Sequence, residues 1–227
     1  MTVQEAIIEL KALSTPEHFA KLSYFGIKDD KALGVKVPLI RQLAKSIGKN
    51  HELALELWKT EIHEARLLAT MIDKPELVSE NQFDSWVGDF NSWDICDQCC
   101  NLFVKTPFVF KKIEEYSIRN EEFVKRASFV LMCEVALHLK NVEDKEFYLF
   151  FEFIKREAGD DRNFVRKAVN WALRQIGKRN EALRLKAIEI GEMILIQNSK
   201  SARWIATDAL RELKSEKTIV YVNNRKS

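Results

Sequence analysis

Polar and apolar positions along this chain recur with the period of an amphipathic helix almost throughout. Residues 3–13 put Ala6, Ile7, Leu10 and Leu13 on one face, which predicts a first helix there. Ser14-Thr15-Pro16-Glu17 reads as a stop and a new start. Thr15 can accept from the free N–H groups of the next turn, and Pro16 suits the first helical position, where no N–H is needed. Gly26 interrupts the next segment, and Leu33-Gly34-Val35-Lys36-Val37-Pro38 reads as an extended connector into a helix over 39–47. Asn50 is a candidate cap for a helix reaching Lys59. Only Lys217-Thr218-Ile219-Val220-Tyr221-Val222 has strand propensity. Residues 217–227 are therefore expected to form a frayed or extended tail, or a short strand, after a single helical domain over 1–216.

A weak internal repeat organises the rest. Ile62-His63-Glu64-Ala65, Val124-Lys125-Arg126-Ala127 and Val165-Arg166-Lys167-Ala168 each open a helical pattern, Trp93-Asp94-Ile95-Cys96 falls in the same register, and Ala202-Arg203-Trp204-Ile205 is a divergent copy. Their fourth positions are spaced by 31, 31, 41 and 37 residues. Helix pairs at such periods predict an all-α fold, an α-solenoid, and the Val-basic-basic-Ala opening resembles the second helix of a HEAT repeat. Stacking these second helices predicts a concave groove lined with Arg126, Arg166 or Lys167, Arg174, Arg203 and Arg211. Arg166 and Lys167 lie about 100° apart on a helix, so one of them must face away.

Composition narrows the class. Apolar residues make up 46% and charged residues 31%, the balance of a globular chain. No apolar run has the length a membrane span needs, and the first residues lack a basic stretch of the kind that opens a secretory signal. A cytoplasmic location is expected, with no membrane partner. The net charge of +2 conceals an asymmetry: residues 155–227 hold 17 Lys and Arg against 9 Asp and Glu, whereas residues 1–154 are net acidic. The basic third could receive a polyanion, or its cations could simply solvate exposed helix faces.

Asn91-Ser92-Trp93-Asp94-Ile95-Cys96-Asp97-Gln98-Cys99-Cys100 concentrates the candidate chemistry. On a helix, Trp93 and Asp97 stand one turn apart on one face, and unpaired charge there would be costly to bury. Cys96 and Cys99 form a C-x-x-C, but no second pair completes a metal set, and cysteines this close on one helix are poorly placed for a disulfide. With Cys133 they read as reduced packing residues, and no metal or cofactor is implied. Trp171 stands three residues before Arg174. An indole beside an ion makes a surface for a flat or cationic group.

Together, Ser92-Trp93-Asp94-Ile95-Cys96-Asp97, Val124-Lys125-Arg126-Ala127, Val165-Arg166-Lys167-Ala168-Val169-Asn170-Trp171-Ala172-Leu173-Arg174 and the 33–43 connector and helix resemble the AlkD-like DNA alkylation repair glycosylases, which are built from HEAT-like repeats. The resemblance spans roughly residues 15–178. It implies a metal-independent monofunctional glycosylase, a monomer, acting on N3- or N7-alkylated purines in double-stranded DNA. Asp97 would be the catalytic carboxylate, with Trp93 and Trp171 against the lesion's sugar and backbone. Arg126 would hold a phosphate, with Arg174, Arg166 and Lys167 as further DNA contacts. An aromatic near the lesion would be Tyr24 or Phe25. Ser92 stands where the family often has another aromatic, which bears on the range of lesions. Competing readings are a non-catalytic HEAT-repeat DNA binder and a protein-binding helical scaffold.

Overall fold

The computed structural model describes residues 1–27 and 30–224, all of whose regular elements are helical. The chain forms two compact units, Met1–Phe108 and Val109–Ser227. The first holds α1 (Val3–Ala12), α2 (Pro16–Leu22), α3 (Val37–Ile47), α4 (His51–Lys59), α5 (His63–Ile72), a 3₁₀ turn at Pro75–Leu77, α6 (Glu80–Gly88) and α7 (Trp93–Phe103). The second holds α8 (Val109–Ser117), α9 (Glu122–His138), α10 (Asp144–Glu157), α11 (Asn163–Gly177), α12 (Glu181–Leu195), α13 (Lys200–Leu213) and α14 (Glu216–Asn224). No described helix is long and apolar enough to cross a membrane.

The five repeat openings fall at the first turns of α5, α7, α9, α11 and α13, the second helix of each pair. Their fourth residues, Ala65, Cys96, Ala127, Ala168 and Ile205, are all fully buried. In the first unit α3 packs on α5 and α5 on α7; in the second, α9 packs on α11 and α11 on α13. The partner helices lie against these rows, α4 on α5, α6 on α7, α8 on α9, α10 on α11 and α12 on α13. α9 is buried on every side from Val124 to Ala136, which identifies it as a core helix rather than a surface one. Close approach in the second unit depends on Gly177, where an added Cβ would lie 2.8 Å from that of Ala187.

Local signals act as the residue types predict. The Thr15 hydroxyl accepts from His18 N–H with Pro16 in the first turn, and Asn50 accepts from Leu53 N–H. The 33–35 connector is held by a residue the pattern did not mark. Fully buried Glu64 accepts from Leu33, Gly34 and Val35 N–H at 2.7, 2.7 and 3.1 Å. Gly34 has φ +81°, and a Cβ there would lie 2.7 Å from that of Phe19, so only glycine fits both the backbone and the contact.

The end of the chain corrects the sequence reading. Residues 216–224 form α14 rather than a strand or extended tail, and the last three residues of the expected tail lie outside the described ones. Thr218 and Val222, one turn apart, are buried, and Ser215 Oγ accepts from Thr218 N–H. Burial at helical spacing, with a cap, outweighs the β propensity of single residues.

Candidate active site and nucleic-acid interface

Trp93 is the first residue of α7, half-buried, after Ser92 in extended backbone. Its ring packs against Leu22, Ile27 and Ala32, and Nε1 donates to the Phe25 carbonyl at 2.9 Å. An indole held by packing and by its one donor presents a fixed face, which a merely exposed ring does not. Phe25 lies beside Trp93 at a cavity of about 210 Å³, while Tyr24, 87% exposed, meets Phe25 edge to face with centroids 5.5 Å apart. Of the two aromatics the sequence left open, Phe25 therefore adjoins Trp93, and Tyr24 faces solvent. Asp97, half-buried, follows one helical turn after Trp93.

The neighbouring carboxylate has a structural partner. Asp94 Oδ2 bonds His63 Nε2 at 2.8 Å, and Oδ1 accepts from Ile95 N–H at 3.0 Å. Burial would raise the Asp94 pKa, but the hydrogen bond and charge of His63 outweigh it and hold the carboxyl below its ordinary value. His63 is 1% exposed and borders the same cavity as Trp93. The sequence reading missed this pair, although the signal was there: the two residues occupy the same register position in successive repeats. α7 thus carries one carboxylate bonded to His63 and a second, Asp97, that is half-buried.

Cys96, Cys99, Cys100 and Cys133 are free thiols, all fully buried. Burial pushes the Cys99 and Cys100 thiols well above their ordinary range, which keeps them protonated and unreactive. The described residues contain no cluster of three or more potential metal ligands.

In the second unit, α11 carries Lys167, Trp171 and Arg174 at spacings that, with its C-cap residue Lys178, form one stripe. Trp171 is half-buried. With its amide oriented to satisfy both donors, Gln175 accepts from Trp171 Nε1 at 2.9 Å and from Lys178 Nζ at 3.2 Å. Arg174 pairs with Glu212 at 2.5 Å, with Asp208 3.8 Å from its Nε, and Glu212 also takes Lys178. Burial would raise the Glu212 pKa, but these two cations hold it below its ordinary value. Arg211 pairs with Asp208 as well. Arg126 is 5% exposed and donates to the Phe164 carbonyl at 2.7 Å, bridging α9 to the first turn of α11.

The adjacent pair divides as helical geometry requires. Lys167 is exposed, while Arg166 is half-buried with its guanidinium 4.7 Å from the Trp204 ring centroid. Arg203, beside Trp204, is exposed. The cations expected from the sequence are thus of two kinds. Lys167 and Arg203 face solvent, whereas Arg126 and Arg174 also hold helices together. Sequence alone shows the charge of an arginine but not the carboxylate or carbonyl that claims it.

A solved structure described as a new family of proteins related to the HEAT-like repeat DNA glycosylases, with affinity for branched DNA structures, matches 93% of this chain and 95% of its own with a TM-score of 0.79. At 20% identity, that likeness establishes the fold, the all-α stacking of HEAT-like pairs expected from the repeat spacing. No curated protein matches the chain. The sequence pattern described as DNA alkylation repair enzyme matches residues 6–213. With nearly the whole length matched, the chain belongs to the DNA alkylation repair enzyme family.

Proposed function

We propose that the protein is a monofunctional DNA glycosylase that hydrolyses the N-glycosidic bond of cationic N3- or N7-alkylated purines in duplex DNA, as the first step of base excision repair. The observation that carries the reading is the first turn and a half of α7: a half-buried carboxylate, Asp97, one turn from an indole fixed by packing and by its bond to Phe25. Family membership supports it.

The chemistry needs little more. An alkylated purine carries a positive charge and leaves as a neutral base, so no general acid is required. As the C1′–N bond breaks, positive charge moves to the sugar, and a carboxylate aimed at it stabilises that charge. Water adds at C1′, its proton passes to Asp97 or solvent, and the products are an abasic sugar and the free base. The indole face of Trp93 offers π-density to the cationic sugar. Trp171, its N–H taken by Gln175, would offer a second face toward the backbone. Lys167 and the guanidinium groups of Arg166, Arg126 and Arg174 would meet phosphates without reading sequence. Neither a metal nor a cofactor takes part, and the protein acts as a monomer.

The test is release of 7-methylguanine or 3-methyladenine from methylated duplex DNA by the purified protein. Free base that accumulates with enzyme and time, with or without EDTA, is the expected result. Salt-sensitive DNA binding with no base released at excess enzyme would instead indicate a non-catalytic DNA binder. Neither base release nor DNA binding would indicate a protein-binding scaffold.

A further inference from the structure

We propose that Arg41 and Lys105, with Lys49 beside them, form a binding site for a backbone phosphodiester of duplex DNA on the first unit, additional to the contacts made from α9 and α11. The inference rests on the DNA reading above and adds a place of contact; Arg41 falls within the 33–43 stretch of the family resemblance, which assigned it no role.

A cavity of about 320 Å³ lies against the end of α5 and the second half of α7. Arg41 from α3, Lys49 and Lys105 line it with the amides of Gln98 and Asn101, and no carboxylate does. Arg41 and Lys105 are exposed, and among the described residues neither makes an ion pair. About half of the exposed cations elsewhere have a carboxylate beside them, Lys21 with Glu17 and Lys214 with Glu192 among them. Arg41 and Lys105 are not paired in that way.

Lys49 has a different task that strengthens the same site. Its ammonium donates to the Met71 carbonyl at 3.1 Å and to the Asp73 carbonyl at 2.6 Å, which caps the C-terminal end of α5. Helix C-termini carry a partial negative charge that would repel an anion, and Lys49 neutralises it where it faces the cavity. Burial and the nearby charge of Lys105 push the Lys49 pKa down, against the opposing pull of Asp73 and Glu76. An oxyanion in the cavity would relieve that like-charge repulsion.

The form of the site suits one phosphodiester within a chain. Arg41 supplies a planar fork that can engage two oxygens, Lys105 a mobile point charge, and both stand at an open polar rim. Gln98 follows Asp97 directly, so adjacent sides of α7 would carry the reacting carboxylate and an anchor for the strand. Such an anchor fixes position along the duplex without selecting sequence.

The experiment measures Kd for an unmodified fluorescent duplex between 50 and 300 mM salt, roughly the range over which counterion release is readily seen. It compares the wild type, the double variant Arg41→Gln/Lys105→Gln, and a charge-matched control, Lys11→Gln/Lys59→Gln; thermal melts check that all three are folded. The double variant should reduce the slope of log Kd against log salt by about 0.9, the contribution of the one phosphate contact that the site makes. It should weaken binding at least tenfold at the lower salt, and the control should match the wild type. If the wild type binds with steep salt dependence and the double variant keeps that slope, the site is wrong and the DNA reading stands. If the wild type shows no salt-dependent binding, both fall. Inorganic phosphate titrated at constant ionic strength separates a strand contact from a small-anion site. Tight phosphate binding lost in the double variant, with an unchanged DNA slope, would overturn the proposal.

Discussion

Replacing Asp97 with Asn tests the mechanism most directly, because it removes charge while nearly preserving shape. Asp97 is half-buried, so the dielectric appropriate to it is closer to that of a protein surface than to bulk water. At an effective value of about 20, a carboxylate about 4 Å from a unit positive charge gains about 4 kcal/mol. A ground-state sugar bears little of that charge and the transition state bears most of it, so nearly all of the gain lowers the barrier. Each 1.36 kcal/mol is tenfold in rate, which predicts a loss of about 10³ in single-turnover base release. Binding to an alkylated duplex should change by less than about threefold, because the carboxylate makes no bond to phosphate and its attraction is realised mainly in the transition state. The assay is excess enzyme on 7-methylguanine duplex, with released base quantified over time and Kd measured in parallel. A variant that retains more than a tenth of the wild-type rate while folded and bound would refute the electrostatic role of Asp97. A variant that loses rate and binding together would show that Asp97 organises the surface rather than the reaction.

The remaining predictions concern what holds that residue in place. Trp93→Phe removes the donor to the Phe25 carbonyl but keeps much of the apolar contact, so base release should fall about tenfold with a loss of stability near 1 kcal/mol, read from kinetics and melts; an unchanged rate would mean the indole's orientation does not matter. Glu64→Gln turns one accepting oxygen into a donor facing backbone N–H groups at 33–35, and should cost about 2–3 kcal/mol, visible as a melting temperature lower by about 5–10 °C. Asp94 is held below its ordinary pKa by the fold, so the unfolded chain binds the extra proton first. Its contribution is complete above the unfolded carboxylate value, about 4, and is lost as pH falls through the lowered folded value. Asp94→Asn should therefore lower the melting temperature at neutral pH and make its decline in acid shallower; parallel acid limbs for variant and wild type would contradict the pairing with His63.

Much of the architecture could be read from the sequence, because helical repeats write their core into a fixed position. Ala65, Cys96, Ala127, Ala168 and Ile205 are small or apolar where each second helix enters the stack, and every one is buried. Caps at Thr15 and Asn50 were equally legible, since each depends on residues within one turn. What a single residue's propensity suggested at 217–222 was not reliable. α14 forms because Thr218 and Val222 find burial against the preceding helices, and no local rule contains that contact. Glu64 escaped notice for the same reason, as its three bonds reach back about thirty residues to a connector with no sequence mark of an acceptor.

The candidate site divides along the same line. Trp93 and Asp97 stand out as a pair because a helix puts them on one face whatever surrounds them. The cations do not sort this way, because the free energy of an arginine depends on what it meets. Arg174 and Arg211 meet Glu212 and Asp208, Arg126 meets the Phe164 carbonyl, and Arg166 meets the Trp204 ring, whereas Lys167, Arg203, Arg41 and Lys105 keep their charge toward solvent. A count of basic residues weights the C-terminal third, but an unpaired cation draws a phosphate more strongly than one already neutralised. By that measure the net-acidic first unit would also contribute to the proposed DNA surface, since Arg41 and Lys105 line a polar cavity with no carboxylate in its lining. The surface that a polyanion meets is set by local pairing rather than by net charge, and the same rule that commits Asp94 to His63 leaves these two cations without a carboxylate partner.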